Sequence, residues 1–155
     1  MKMQTKVTEF LDSKKIQYRI LPHEKEVFTC EDAAKERAIT IDEMIKTLFL
    51  IDKNGKQILA GIIADKKLDL DKLREVASAQ KLRFATKDEI KEILGYTMGA
   101  VPPIVFDSNT TVVFDEEIKS KEKVSISSGD LMAGIELKAK DLIELVKPKI
   151  GKIAK

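Results

Sequence analysis

Apolar positions along the chain follow two different periods. In residues 4–14, QTKVTEFLDSK, Val7, Phe10 and Leu11 fall on one face of a helix. In IKTLFLID (45–52) and KQILAGIIAD (56–65) nearly every position is apolar, and Asn54-Gly55 stands between the two runs. An Asn-Gly pair in that place predicts a β-hairpin. Strands apolar on both faces predict a sheet covered on each side.

Punctuation residues divide the rest. YRILPH (18–23) reads as a short strand. Thr29 caps a helix over CEDAAKERA (30–38), with Glu31 and Asp32 suited to its first turn. Thr40 and Asp42 mark a further helical turn, and Asp69 or Asp71 opens a helix within 68–79. Thr86 caps a helix over 87–94 that Gly95 stops in the C′ position. Strands are expected at 103–106, 110–115, 123–127 and 133–137, then a helix over 139–147 and a lysine-rich tail. Helices alternating with strands, plus one hairpin, predict an α/β (α+β) fold built on a mixed sheet.

Composition narrows the function classes. The chain has 155 residues, no internal repeat and no linker-like block, so a single domain, 1–155, is expected. No apolar run approaches the ~20 residues of a membrane span. The N-terminal stretch lacks the apolar core of a signal peptide, which predicts a cytoplasmic protein. Net charge is +2, and 28 Lys and Arg are interspersed with 26 Asp and Glu. A long duplex-binding groove is not expected from this balance, whereas local contacts to a polyanion are compatible with it. Cys30 is the single cysteine and His23 the single histidine. An intrachain disulfide and a Cys/His zinc site are therefore excluded within one chain, and no cofactor or metal is expected.

Four places carry candidate chemistry. Lys46 shares a strand face with Leu48 and Leu50. It either snorkels outward from the strand start or lines a cleft, desolvated and aimed at an anion or a polarised carbonyl. GYTMGAVPPIVF (95–106) contains almost nothing that ionises. After Gly99 the free backbone donors are those of Ala100 and Val101, because Pro102 and Pro103 have none. The stretch is either a plain connecting turn or a rigid loop aiming amides at a developing oxyanion. SISSGD (125–130) forms a polar turn or a pocket wall. His23, after Pro22, is a base or a structural histidine, and Cys30 at a helix start is read as packing.

Taken together, DEMIKTLFL (42–50), KKLDLDKL (66–73), GYTMGAVPP (95–103) and VSISSGDLMAGIEL (124–137) closely resemble, in order and spacing, the YbaK/ProX family of aminoacyl-tRNA deacylases. This family is related to the editing domain inserted in bacterial prolyl-tRNA synthetases. The resemblance runs from about Thr5 to Leu145. It implies a mixed sheet, partly closed into a barrel and surrounded by helices. It also implies metal-independent hydrolysis in trans of a wrong small amino acid (alanine, cysteine or serine class) from the 3′ end of tRNA, tRNA(Pro) first. Matching the family's motifs, Lys46, Gly99, Ala100 and Val101 become catalytic candidates. His23, Pro102, Pro103, Ser127, Ser128, Gly129 and Asp130 become substrate-binding candidates. The implied partners are the 3′ end of aminoacyl-tRNA and a synthetase such as prolyl-tRNA synthetase. The alternative is a non-catalytic tRNA- or synthetase-binding module with the same fold. The chain departs from some members at Ala100 and Pro102, near Leu21, and at Gly134, where an aspartate occurs. An apolar wall at these positions favours a small substrate such as alanine.

Overall fold

The computed structural model describes residues 4–107 and 109–155. The chain runs α1 (Lys6–Ser13), β1 (Tyr18–Pro22), α2 (Cys30–Arg37), a 3₁₀ turn (Ile41–Glu43), β2 (Ile45–Asp52) and β3 (Gln57–Ile63). It continues α3 (Leu70–Ala77), β4 (Leu82–Phe84), α4 (Lys87–Glu89), β5 (Thr110–Asp115) and a second 3₁₀ turn (Glu116–Ser120). β6 (Lys123–Ser127), β7 (Ala133–Lys138), α5 (Ala139–Val146) and β8 (Lys149–Gly151) complete it. A wider π-type turn, Ile90–Leu94, prolongs α4.

Helix starts follow their caps. The hydroxyl of Thr29 accepts from Asp32 N, the carboxylate of Asp69 from Asp71 N and Lys72 N, and Thr86 forms a reciprocal box with Glu89. Each such cap is worth about 1 kcal/mol. Gly95 ends the turn after α4 at φ +82°. In the hairpin, Gly55 takes φ +86°, and the Asp52 carboxylate accepts from Asn54 N and Lys56 N.

The strands form two sheets. One has the order β4-β2-β3-β5-β8, antiparallel around β2 and parallel from β3 to β8; the other is antiparallel with the order β1-β7-β6. A single bridge, Met44 to Ser125, links them. The sheets do not close into a barrel. One core lies between the sheets and includes Phe49, Leu59, Phe114, Ile126 and Ile135, with Val7 and Leu11 of α1 and Leu142 of α5. Leu50, Ile58, Ala60 and Ile62 point the other way and pack with Leu73 and Ala77 of α3. Both faces of the hairpin are thus covered, which explains its nearly unbroken apolar run.

Three segments differ from expectation. Residues 103–106 form no strand: two prolines cannot donate to a ladder, and the segment runs irregularly with Pro102, Pro103 and Ile104 buried. β4 and β8 were not expected. Each has three residues, and β8 lies in the lysine-rich tail. That tail is pinned where the Asp115 carboxylate accepts from Ile153 N and Ala154 N, at 2.9 and 3.0 Å. Among the described residues no helix is long and apolar enough to cross a membrane.

One feature of the larger sheet positions the site. β4 pairs only with Leu50–Asp52 of β2, so the first half of β2 keeps an open edge. α2, the 95–103 loop and the end of β6 converge on that edge.

Candidate active site

The open edge of β2 borders a cavity of about 210 Å³. Lys46, Thr47 and Leu48 form one wall, Gly99 and Val101 another, and Cys30 and Arg37 of α2 a third, with Ser127 at the end of β6. No aspartate or glutamate lines it.

Lys46 is half-buried in this wall rather than directed outward. Its Nζ donates to the Lys66 carbonyl at 3.2 Å and has no carboxylate partner among the described residues. Beside it, the buried hydroxyl of Thr47 has no hydrogen-bond partner among the described residues.

The Gly99 bend has φ +96°, a region that strains any side chain. Ala100 does not supply a free donor: its N–H closes a turn on the Thr97 carbonyl at 2.9 Å, and its side chain is buried outside the cavity. The amides of Gly99 and Val101 have no acceptor among the described residues. Two N–H groups without an acceptor, on residues that line the cavity, therefore remain where three residues were expected to contribute.

Of the expected substrate-binding residues, Ser127 alone lines the cavity. Pro102 and Pro103 are buried and lie outside its wall, Pro102 lining a separate cavity. The Ser128 hydroxyl donates to the Ala133 carbonyl at 2.7 Å and holds the β6–β7 turn. Gly129, at φ +94°, packs under the Tyr96 ring. Asp130 is exposed and accepts from Met132 N at 2.7 Å.

His23 is buried with both ring nitrogens occupied. Nδ1 lies 2.8 Å from the Leu131 carbonyl, so it carries the proton, and Nε2 accepts from Arg37 Nε at 3.0 Å. Burial, and then the charge of Arg37, hold its pKa below the usual histidine value. This histidine is a neutral support, not a base facing the cavity.

What it supports is Arg37, a residue the sequence reading passed over. The residue is 7% exposed, and its guanidinium also donates from Nη1 to Ser125 Oγ at 2.9 Å. Burial pushes its pKa down to about 10, so it remains a cation at neutral pH. No carboxylate pairs with it among the described residues. Burial likewise raises the Cys30 thiol, with Lys46 and Arg37 pulling partly back, so Cys30 stays a neutral wall group. The wall is largely apolar, with Val27, Ala33, Met44, Ile45 and Leu48, but carries two cations, Lys46 and Arg37. The one available signal in the sequence was Gly134, whose missing side chain makes the room for Arg37. Among the described residues, no three His, Cys, Asp or Glu side chains gather as a metal site.

Residues 24–145 match the model of the aminoacyl-tRNA editing domain, a span that includes every residue of the cavity wall. The chain belongs to this family. A relative 35% identical over 143 residues, 88% of this chain and 86% of its own, is the prolyl-tRNA editing protein ProX of Acetoanaerobium sticklandii. The multifunctional Ser/Thr-tRNA deacylase ProXp-y of Escherichia coli K12 is 26% identical over 137 residues, 86% of this chain and 81% of its own. Among solved structures, the hypothetical protein APE2540 superposes with a TM-score of 0.89 at 28% identity, covering 97% of this chain and 100% of its own. The fold shared with APE2540 thus extends over almost the whole chain.

Proposed function

We propose that this editing-domain protein is a trans-acting aminoacyl-tRNA deacylase. It hydrolyses the ester between a small mischarged amino acid, of the alanine, cysteine or serine class, and the 3′-terminal adenosine of tRNA, with tRNA(Pro) as first candidate. One observation carries the reading: Lys46 and the Gly99–Val101 bend line the same cavity. The names of the two relatives, an editing protein and a deacylase, support it.

In this reading the amides of Gly99 and Val101 receive the ester carbonyl. Water, or a substrate hydroxyl followed by water, adds to the acyl carbon. Charge grows on the carbonyl oxygen, where fixed amides stabilise it without reorganising. The bond from acyl carbon to ribose oxygen then breaks, the ribose oxygen takes a proton, and free amino acid leaves. Lys46 anchors the ribose-phosphate side. Small cavity size excludes large acyl groups, as a sieve does.

Phe28 and Met98 stand at the mouth, 63% and 48% exposed, next to Lys87 and Lys91. An exposed aromatic ring offers a stacking platform for an unpaired base, and flanking lysines suit phosphates. The terminal adenosine is placed there. Docking on a synthetase such as prolyl-tRNA synthetase, and a cytoplasmic location beside charged tRNA, go with this role.

Incubation with alanyl-, cysteinyl- and seryl-tRNA, with and without EDTA, tests it. Release of amino acid that EDTA does not prevent is expected. Tight tRNA binding without release of any amino acid would replace the hydrolase with a carrier module.

A further inference from the structure

Arg37 is a buried cation with no counter-charge among the described residues. Of its five N–H hydrogens, two are used, toward His23 and Ser125, and Nη2 meets no acceptor among the described residues. A cation desolvated to this degree is ordinarily paired. Here the wall it belongs to contains a second cation, Lys46, an unpartnered hydroxyl on Thr47, and no acid. The cavity therefore presents two cations and no carboxylate to a ligand.

Its construction fixes that donor in place. A Cβ on Gly134 would fall within 2.7 Å of Arg37 Cδ and nearer still to Nε and Cζ. Only glycine at this register of β7 lets the guanidinium lie flat across the strand. The neutral ring of His23, itself oriented by the Leu131 carbonyl, then fixes the plane of the fork. α2, the residue just after β1 and β7 thus hold one donor in place.

We infer that Arg37 is a specificity-determining residue that selects acyl groups whose side chain carries an acceptor oxygen, so that within the alanine, cysteine and serine class the seryl ester is preferred. The inference rests on the deacylase reading above and chooses among its substrates. A hydroxyl oxygen accepts from the free guanidinium N–H. A thiol sulfur accepts weakly, and a methyl group leaves the donor unmet. A site built around such a donor discriminates against the analogue that lacks the partner. One hydrogen bond to a charged group corresponds to roughly 10- to 100-fold in kcat/KM.

The test compares kcat/KM for seryl- and alanyl-tRNA of one tRNA with wild type, Arg37→Met and Arg37→Lys. Wild type is expected to favour seryl over alanyl by about 10-fold or more. The ratio should fall toward one in Arg37→Met and recover in part in Arg37→Lys. Because both substrates meet the same preparation, the ratio does not depend on the fraction folded, and a merely structural role would lower both rates equally. A wild-type ratio near one, or a ratio unchanged in Arg37→Met, overturns the inference while leaving the deacylase reading intact. If wild type releases neither of these nor cysteine from cysteinyl-tRNA, the deacylase reading fails instead. Calorimetric binding of 3′-seryl- and 3′-alanylamido adenosine then decides, and equal affinities overturn the selectivity.

Discussion

The guanidinium of Arg37 occupies the volume that a side chain on Gly134 would require. Two residues from α2 and β7 are thereby made mutually exclusive in bulk. Gly134→Ala should expel Arg37 and break its bonds to His23 and Ser125, destabilising the fold by about 1–3 kcal/mol. Urea unfolding checks the size. In a double-mutant cycle with Arg37→Ala, the double variant should lose much less than the sum of the two single losses. Strict additivity would show that the two positions do not compete.

His23 provides a pH dependence of predictable sign. Its pKa in the folded protein lies below the ordinary value of about 6.5, because burial disfavours the imidazolium and Arg37 repels it, partly offset by the Leu131 carbonyl and by Glu36 and Asp130. The unfolded chain therefore binds a proton more readily than the folded one as pH falls through 6.5. Stability should be full above that pH and decline below it, down to the depressed folded value. A protonated Nε2 also cannot accept from Arg37. His23→Gln should flatten the decline in unfolding free energy between pH 7.5 and 5, since His23 is the only histidine.

Lys46 and Gly99 should separate chemistry from folding. Lys46→Ala removes a half-buried cation bonded only to the Lys66 carbonyl, so melting temperature should change little. Deacylation should fall about 100-fold. Gly99→Ala forces φ +96° on a residue with a Cβ, costing about 1–3 kcal/mol or turning the loop. Here both stability and kcat should drop. Unchanged turnover in Lys46→Ala would remove that ammonium from the reaction.

Phe28 should govern tRNA affinity more than rate. Phe28→Ala removes a ring that the fold leaves 63% exposed. Loss of one base–aromatic stack amounts to about 1–3 kcal/mol. KM should rise roughly 5- to 100-fold with stability unchanged, and Phe28→Trp should restore it. An equal KM in Phe28→Ala would move the adenosine elsewhere.

Local signals made much of this molecule legible before its coordinates. Asn54-Gly55 announced the hairpin, Thr29, Thr86 and the pair Asp69 and Asp71 announced helix starts, and Gly95 marked a helix stop. Lys46 stood out because a lysine on an apolar strand face requires an explanation. Nonlocal facts were not legible. β4 and β8 have three residues each and exist by pairing with neighbours distant in sequence. Residues 103–106 looked like a strand because they are apolar, but the prolines rule out a ladder. The Ala100 amide was counted as free because a turn back to Thr97 leaves no trace in composition. Arg37 looked like an ordinary residue at a helix end. Its role appears only when the gap at Gly134, far along the chain, is brought beside it.

The most direct measurement is an amide-proton NMR titration with a non-hydrolysable 3′-aminoacylamido adenosine. The Gly99 and Val101 N–H groups, which have no acceptor within the described protein, should move downfield on binding, with the Ala100 N–H held by Thr97 moving least. Shifts confined to other surfaces, with Gly99 and Val101 unmoved at saturation, would contradict the assignment of this cavity to the acyl group.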